Sequence, residues 1–432
     1  MPTTTAVPDP AAATAPARGF GRHTVALWML FAVGTINFVD RQLLSILVEP
    51  IRAEMNFTDT QFGLLTGLSF ALFYAAMGVP VALLADRWNR VRLIGVACLV
   101  WSGFTAACGM ASSFAHLAML RFGVGVGEAG GTAPSVSVLA DYYPPERRAL
   151  IIGLFTLNGP LGVFIGAAFG GWAASTVGWR GAFIGVGVVG MVLAPLLIAV
   201  VREPKRGQMD ASTAPDAAPP LGTIFATFAR TPSLRLLMIG SGLAAFVSYG
   251  MLNWIPAFLM RTQHMPMSAM ATWFAPAAGI TFGIGIWGGG WLVSRGAHGA
   301  PRRYATVPGI ATLVLIPVLV AALLVNDWRL SLLLLLVPMA ACTFYVAPAL
   351  ALVQNLSAPR ARATAAAILL LMFNIVGLGG GPLFIGMVSD ALKAAHGAES
   401  LRWAMLSLAP VAAAAAAAQL VMARHLDRDL AN

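Results

Sequence analysis

Four ionisable side chains stand inside long apolar runs of this sequence: Asp40 and Arg41 in one run, Arg121 and Glu128 in another. A charge in hydrocarbon costs at least roughly 2.5–3.5 kcal/mol, so such side chains face a cavity or each other and are functional candidates. A carboxyl group that can be neutral or charged, depending on water and a nearby arginine, is what proton coupling requires. An arginine in a low-dielectric cavity is a natural partner for phosphate or carboxylate. Structural ion pairing is the alternative interpretation.

The positions of these residues along their helices predict how they meet. A rise of about 1.5 Å per residue places Asp40 and Arg121 at similar depth, with Glu128 nearer the middle of the membrane. Arg121 and Glu128 lie about two turns apart on one helix face, and Thr132 and Ser135 continue that face. We therefore expect an Asp40–Arg121 pair and a single polar stripe that faces a cavity. Glu128 has no obvious cation one turn away.

The composition indicates that the elements carrying these residues are membrane helices. Of 432 residues, 58% are hydrophobic and 10% are charged, whereas soluble domains carry roughly 25% charged residues. Spans of about 20 apolar residues, enough to cross the hydrocarbon core, recur twelve times. The predicted spans are 24–48, 60–84, 92–112, 114–139, 148–172, 180–200, 235–260, 268–292, 304–325, 329–353, 364–388 and 402–423. We predict an all-α membrane protein with twelve transmembrane helices in two pseudo-symmetric six-helix bundles.

The chain divides around one polar, proline-rich interruption. The predicted regions are a disordered cytoplasmic N-terminal tail at 1–23, a first bundle at 24–202, a cytoplasmic linker at 203–232, a second bundle at 233–425 and a cytoplasmic C-terminal tail at 426–432. Six helices, a linker and six more helices are typical of a duplicated transporter. The tail lacks the apolar core of a signal peptide, so the first helix is expected to act as the uncleaved targeting signal.

The distribution of basic residues predicts the orientation. The tails and even-numbered loops hold nineteen of the 27 Lys and Arg residues, and the odd-numbered loops hold six. By the positive-inside rule, both termini and the linker are cytoplasmic in a multi-pass inner (plasma) membrane protein. The net charge of +10 therefore has a topogenic role. No aromatic-basic stripe is present, so we predict the lipid bilayer as a partner and no nucleic acid.

Motifs for enzymatic chemistry are missing from the sequence. The three cysteines lie singly in apolar runs, which argues against a disulfide framework or a metal site. The histidines are scattered without HExxH or other ligand spacing, and no GxxxxGK[ST] segment indicates an ATP-driven pump. We predict no enzyme activity, no metal and no cofactor.

Several polar residues on otherwise apolar helices are candidates for lining a cavity. They are Asn37, Thr132, Tyr249, Asn253 and Asn374. Such groups also make interhelical hydrogen bonds worth under roughly 1–2 kcal/mol, and for any one of the second-half residues packing is the more common role. The second half contains no ionisable residue deep in a span, so ionic chemistry is expected in the first half.

The loop ALLADRWNRVR at 82–92 resembles the signature loop of the major facilitator superfamily, with Asp86, Arg87 and Arg90 at matching positions. Here an aspartate can cap a helix N-terminus while arginines meet partners near the membrane. In that family the loop latches the two halves in the outward-facing state. The resemblance implies that these three residues form a conformational latch.

Within that superfamily the sequence most resembles the Spinster branch. The resemblance rests on Asn37-Phe-Val-Asp40-Arg41, on Gly63-Leu-Leu, and on Arg121 through Gly127-Glu128-Ala129. It implies that Asp40 and Glu128 sense protons, with Arg41 and Arg121 as partners or substrate-binding cations. It also implies amphipathic substrates such as lysophospholipids or sphingosine phosphate.

These observations predict a secondary active transporter, proton-coupled and monomeric, that moves an amphipathic or anionic small molecule by alternating access. The alternatives within the superfamily are a sugar-acid or organic-anion symporter and a multidrug efflux carrier. A non-transporting membrane receptor is a third alternative, which predicts ligand binding without flux.

Overall fold

The computed structural model describes residues 21–209, 221–295, 301–357 and 361–431. The predicted disorder of the N-terminal tail, and parts of the linker, fall on residues outside these ranges. The first half of the chain forms ten helices. They are α1 Arg22–Ile46, α2 Val48–Met55, α3 Asp59–Gly63, α4 Ser69–Arg87, α5 Arg90–Cys108, α6 Phe114–Glu128, α7 Thr132–Tyr142, α8 Pro145–Thr156, α9 Asn158–Thr176 and α10 Gly178–Val200.

The second half repeats this order after a short amphipathic helix in the linker. Its helices are α11 Leu221–Arg230, α12 Pro232–Arg261, α13 Met267–Ala269, α14 Ala275–Ser294, α15 Arg303–Leu324, α16 Trp328–Ala341, α17 Val346–Asn355, α18 Arg362–Met372, α19 Gly381–His396, α20 Ser400–Leu406, α21 Leu408–Met422 and α22 Leu426–Ala431. π-helical turns at Leu64–Leu68, Met270–Phe274 and Phe373–Gly380 join α3 to α4, α13 to α14 and α18 to α19.

The helices account for twelve membrane crossings. Ten stretches of the described chain are long and apolar enough to span a membrane. One of these, Thr364–Met422, contains two crossings that reverse at the short 3-10 turn Gly397–Glu399. A further crossing, formed by α6 and α7, is interrupted in its middle. The predicted all-helical fold with twelve transmembrane helices is confirmed.

The fourth crossing differs from the sequence prediction. It was expected to be one helix, but α6 ends at Glu128 and α7 begins at Thr132 after a turn. The polar face that runs from Arg121 to Glu128 is therefore interrupted before Thr132 and Ser135. The prediction of one continuous stripe is wrong beyond Glu128, because the break sits in a run of glycines, which lower helix stability.

Several helix starts are fixed by side-chain caps. Thr58 accepts from the amide of Gln61, whose side chain accepts in return from the Thr58 amide, which is a capping box. The side chains of Asn89, Ser113 and Asp327 cap α5, α6 and α16 by accepting from backbone amides of the first turn, without the reciprocal bond of a capping box. Because each cap satisfies amides that the helix cannot, it sets where the crossing begins and which residues reach membrane depth.

Two faces of the molecule follow from this order. The face that carries the start of α1, the loop before α5, the linker residues 203–209 and α22 is called the linker face. The other face carries the turns at residues 56–58, 109–113, 262–266 and 325–327 and is called the opposite face.

Small residues let the two bundles meet closely at two helix pairs. A Cβ added at Gly67 would lie 2.9 Å from the carbonyl oxygens of Gly379 and Leu378, so the second crossing touches the eleventh backbone to backbone. A Cβ at Gly279 in α14 would lie 2.6 Å from Phe164 in α9. Glycine permits these approaches because it has no side chain to separate the helices.

Candidate functional site

Asp40 and Arg121 form a buried ion pair in the first bundle. Arg121 on α6 donates to the Asp40 carboxylate on α1 at 2.7 Å, and Thr105 on α5 donates to its second oxygen at 2.9 Å. The side chains of Arg121 and Asp40 are 3% and 1% exposed, so neither charge is shared with solvent. Three helices are thereby joined around one carboxylate. The expected proximity of Asp40 and Arg121 is present in the structure.

Arg41, the neighbour of Asp40, binds the other carboxylate. Its Nε and one terminal nitrogen each lie 2.7 Å from the same Glu128 oxygen, Oε2. The guanidinium also lies over the rings of Phe38, Phe70 and Tyr74, with its carbon 5.7, 4.7 and 5.4 Å from their centroids. Such stacking is favourable for a planar cation. Arg41 is thus held by one carboxylate oxygen and an aromatic cradle.

The two carboxylates differ in how completely they are satisfied. Both oxygens of Asp40 accept hydrogen bonds, whereas Oε1 of Glu128 is buried without a partner among the described residues. On the side of the cations, Nε of Arg121 is likewise buried without a partner among these residues. The Arg41 side chain is 22% exposed, whereas that of Arg121 is 3% exposed. A buried polar atom without a hydrogen bond costs about 1–3 kcal/mol, and each pair contains one. The pairs therefore differ in which atom lacks a partner and in the partial exposure of Arg41. We call these four residues the buried quartet.

The residue pattern alone showed no obvious cation one turn from Glu128, whereas the Spinster resemblance implied Arg41 and Arg121 as partners of the two carboxylates. In the structure the cation that binds Glu128 is Arg41, which comes from α1. Consecutive residues on a helix point about 100° apart, so Asp40 and Arg41 reach different partners on α6. The adjacency of two opposite charges at membrane depth was the available signal.

The polar residues expected to line a cavity lie in separate places. Asn253 on α12 accepts from Ser45 on α1 at 3.0 Å and donates to the Tyr249 carbonyl at 2.9 Å, so it links the bundles. Asn374 donates to the Leu370 carbonyl within its own helix at 2.8 Å.

The other three candidates surround the quartet less directly. Asn37 is buried on α1, one turn before Asp40. Thr132 stands at the start of α7, just after the break that follows Glu128. Tyr249 is partly buried and packs against apolar core residues of both bundles. Arg41 is close enough to interact with it electrostatically.

The signature loop on the linker face is arranged differently from the expectation. Asn89, not Asp86, caps α5 by accepting from the amide of Arg92 at 2.8 Å, while Asp86 is exposed within the last turn of α4. The expected capping role of Asp86 is therefore wrong, because α4 continues past it to Arg87. Arg87 is exposed as well.

Arg90 from the same loop is buried in a network of its own. It donates to Asp141 at 2.5 Å, to Glu203 at 2.7 Å and to Ser137 at 2.8 Å. These acceptors belong to α7 and to the start of the linker. In this conformation Arg90 therefore fastens the linker to the first bundle, and the role of the loop as a latch between bundles stays a prediction.

A second group of charges, on the opposite face, was not singled out from the sequence. Arg261 on α12 donates to Glu49 and Asp59 at 2.8 Å each, and Arg52 donates to Asp59 at 2.7 Å. Asp390 on α19 accepts from the amides of Asp59 and Thr60 at the start of α3, at 3.1 and 2.7 Å. We call Glu49, Arg52, Asp59, Arg261 and Asp390 the bridging cluster, because it joins the bundles.

The sequence did not predict the bridging cluster, because each of its residues, considered alone, is an ordinary charged residue at a helix end. The start of α3 was signalled by Thr58 and Gln61, whose spacing is that of a capping box. No local pattern could show that Arg261 and Asp390, from the other half of the chain, meet Asp59. Asp59 nevertheless accepts from Arg52, Arg261 and Ser389, and its side chain is 2% exposed.

Chemically, the quartet can hold an anion and a proton inside one bundle. Arg41 is a partly accessible cation whose bond to Glu128 an incoming anion can replace. Glu128 is a carboxylate with an unoccupied oxygen in a dry environment. The bridging cluster closes the opposite face over this site and ties the two bundles together.

Comparison with known proteins assigns the chain to a family. Its sequence matches the model of the Major Facilitator Superfamily over residues 30–382. An MFS-type efflux pump of Mycolicibacterium smegmatis is 35% identical over 387 residues, which cover 90% of this chain and 89% of that protein. A probable L-galactonate transporter of Escherichia coli is 28% identical over 258 residues, covering 57% of this chain and 56% of that protein.

A solved structure extends the likeness to the whole fold. The crystal structure of a bacterial homologue of the human lysosomal transporter Spinster, inward-facing and unoccupied, aligns with a TM-score of 0.85 at 30% identity. The alignment covers 95% of this chain and 99% of that one. The chain is therefore a multi-pass membrane transporter of the Major Facilitator Superfamily, not an enzyme, and resembles the Spinster branch of that family.

Proposed function

We propose that this transporter carries an anionic, amphipathic organic molecule together with a proton, by alternating access, and that Glu128 is the proton site. The observation that carries the proposal is the half-satisfied pair. Glu128 is bound by Arg41 through one oxygen only, and its other oxygen is buried without a partner among the described residues.

An anionic substrate would compete with Glu128 for Arg41. The guanidinium is partly accessible, and a phosphate or carboxylate can bind it with two parallel hydrogen bonds. Once Arg41 turns to the substrate, Glu128 keeps a negative charge in a low-dielectric site with no cation in contact. A buried charge that has lost its partner is strongly destabilised, so Glu128 takes up a proton from water.

The charges balance in this exchange. Before binding, the positive Arg41 faces the negative Glu128. After binding, it faces the substrate anion while Glu128 is neutral. The loaded site therefore carries no additional net charge for a monoanion, so it can pass through the occluded state without burying an unpaired charge. One proton and one anionic group move together, which is symport.

Asp40 and Arg121 are assigned a positioning role in this proposal. Their ion pair is buried on both sides, and Thr105 occupies the second oxygen of Asp40. The pair fixes α1 against α5 and α6, and so sets the position from which Arg41 reaches Glu128. The aromatic rings of Phe38, Phe70 and Tyr74 around Arg41 suit an amphipathic substrate, with apolar surface beside a charged group.

Efflux is the second candidate, since the relative named an efflux pump matches this chain at 35% identity over 89% of its own length. For a proton-driven exporter the substrate and the proton are exchanged, so they move in opposite directions. The sign of the proton movement therefore separates the two candidates. From the arginine distribution we infer that the linker face is cytoplasmic in an inner membrane. We also propose that the protein acts as a monomer.

The test uses purified protein in liposomes that contain a pH-sensitive dye. A lysophospholipid, sphingosine phosphate and galactonate are added outside in turn, with Glu128→Gln as the test variant. Glu146→Gln is the matched control, because Glu146 is an exposed glutamate at the start of α8. Symport predicts acidification of the interior with one of these substrates, present in the parent and the control and absent from Glu128→Gln.

Other outcomes decide against parts of the proposal. Alkalinisation on substrate entry would identify antiport and favour efflux. Substrate entry with a flat pH signal, unchanged in Glu128→Gln, would exclude proton coupling through Glu128. The substrate that gives the signal separates the lipid interpretation from the sugar-acid interpretation, and binding without flux would indicate a receptor.

A further inference from the structure

A long apolar groove lies on the membrane-facing side of the second bundle, between α14, α15 and α16. Its volume is about 1370 Å³. The walls are large apolar side chains that stay exposed: Trp273 by 63%, Ile280 by 60%, Ile310 by 55% and Leu333 by 61%. We call it the lateral groove. It is separate from the buried quartet, which lies inside the first bundle.

One end of the lateral groove is polar and lies at the opposite face. Trp328 and Arg329 stand there at the start of α16, and Ser268 lines the same end. The Arg329 guanidinium lies over the Trp328 ring, 4.7 Å from its centroid. Tryptophan and arginine at this level are typical of the interface where lipid headgroups begin.

Three Trp/Arg neighbours at this face allow a comparison. Arg180, beside Trp179, donates to Glu54 at 2.5 Å, and Arg402, beside Trp403, pairs with Glu399 at 2.7 Å. Within the described ranges, Arg329 has no ion pair with a carboxylate. The nearby Asp327 accepts from the amides of Arg329 and Leu330, so it caps α16. Among the described residues, Arg329 therefore presents a guanidinium without an ion-pair partner at the end of an apolar groove.

Aromatic side chains of the protein lie at the corresponding place in the first bundle. There the rings of Phe73 on α4 and Phe122 on α6 stack with centroids 4.8 Å apart. The Phe104 ring on α5 covers Gly123 so closely that an added Cβ would lie 2.6 Å from it. The aromatic rings at this place in the first bundle therefore distinguish it from the lateral groove of the second bundle.

We propose that the lateral groove holds one acyl chain of an anionic phospholipid of the bilayer, with the lipid phosphate bound to Arg329. From Arg329 to Ala341, α16 is about 18 Å long, which exceeds half of the roughly 30 Å hydrocarbon core. The groove is therefore long enough for a chain from one leaflet. A guanidinium binds a phosphate bidentately, and the apolar walls exclude any headgroup from the rest of the groove.

The test is native mass spectrometry of delipidated protein to which phosphatidylglycerol or phosphatidylcholine is added. Two variants probe the two parts of the site: Arg329→Gln removes the charge, and Val314→Trp fills the groove from α15, where Val314 is 48% exposed. Arg180→Gln is the matched control, because it removes a Trp-neighbouring arginine at the same face that already has a carboxylate partner.

The parent is expected to retain one phosphatidylglycerol more strongly than phosphatidylcholine. Arg329→Gln should weaken that binding by about three- to tenfold, as for a partly exposed charge-assisted contact, and Val314→Trp should weaken the binding of both lipids. Arg180→Gln should leave both unchanged. Equal retention in Arg329→Gln and the parent would overturn the phosphate contact, and unchanged binding in Val314→Trp would overturn the acyl-chain site.

Discussion

The buried quartet and the bridging cluster are both built from arginines and carboxylates, yet they join different things. The Asp40–Arg121 pair connects helices of one bundle and is 1% and 3% exposed. The bridging cluster connects the two bundles; its Arg261 and Glu49 side chains are 14% and 26% exposed, and its central carboxylate, Asp59, is 2% exposed. Alternating access moves the bundles against each other, so contacts inside a bundle persist while contacts between bundles must break in every cycle.

The difference in exposure implies that ion pairs of the same residue types cost different amounts of free energy to separate. Removing one partner from a fully buried pair leaves an uncompensated charge and costs about 3–5 kcal/mol. Pairs that remain partly hydrated lose much less, because water compensates each charge when they separate. The Arg261–Glu49 pair is of this partly hydrated kind, so its separation should cost less than separation of the Asp40–Arg121 pair.

The largest effect is expected when the quartet loses its buried carboxylate. Asp40→Asn leaves the Arg121 guanidinium buried without a counter-charge, which should lower the free energy of unfolding by about 3–5 kcal/mol and abolish transport. Thermal unfolding in detergent and uptake into liposomes measure both. Glu146→Gln is the control, because Glu146 is an exposed carboxylate at the start of α8. If Asp40→Asn unfolds at the parent temperature, the pair is not a structural connection.

The bridging cluster should respond in conformation more than in stability. Arg261→Gln removes the bonds to both Glu49 and Asp59, and should shift the equilibrium towards opening of the opposite face by about 1–3 kcal/mol. Spin labels at Met110 and Ala398, exposed on the opposite face of the two bundles, should report a longer distance population. Cys98, Cys108 and Cys342 would be replaced first in all samples.

Arg402→Gln is the control for that experiment, since Arg402 pairs with Glu399 inside one bundle at the same face. It should leave the distance distribution unchanged. An Arg261→Gln distribution identical to the parent would mean that the bridging cluster does not set the closed state.

An effect of similar size is expected where the bundles touch backbone to backbone. Gly67→Ala places a methyl group 2.9 Å from two carbonyl oxygens of the eleventh crossing and should destabilise the closed state by about 1–3 kcal/mol. The same distance measurement reports it. Gly153→Ala is the control, because a Cβ there meets nothing within 4 Å and alanine favours the helix. Equal behaviour of the two variants would show that the crossing has room to relax.

The smallest effect is expected at a neutral hydrogen bond between the bundles. Ser45→Ala removes the donor to Asn253 and should shift the conformational equilibrium by about 0.5–1.5 kcal/mol. Substrate uptake rates and the label distances should change modestly. Ser175→Ala, which removes a bond to the carbonyl of its own helix, should change neither. A shift as large as that of Arg261→Gln would mean that charge is not what distinguishes the bridging contacts.

Much of the fold was accessible from the sequence because a membrane imposes a strong local rule. Each crossing must be a helix with apolar residues over the core thickness, so length and hydropathy predicted all twelve. The same rule singled out Asp40, Arg41, Arg121 and Glu128, which violate it. The break after Glu128 was not predicted, since the run of glycines there fits either a helix or a turn.

The arrangement of the site was only partly accessible. The similar depth of Asp40 and Arg121 followed from the rise of a helix, and the structure places them in contact. Depth could not show that Arg41 turns to Glu128, because the direction of a side chain depends on how neighbouring helices are rotated. The proton-coupling role of the named residues stays a prediction that the liposome experiment tests, and the latch role of the signature loop stays a prediction as well.

By itself the sequence determined the number of crossings, their division into two bundles and the identity of the charges buried among them. Hydrocarbon selects these features residue by residue, so they are local. Tertiary structure decided which charge meets which: Arg41 with Glu128, Arg261 with Asp59, and Arg329 with no carboxylate among the described residues. Those pairings depend on the packing of helices distant in the chain, where a rotation of one helix by one residue changes every partner.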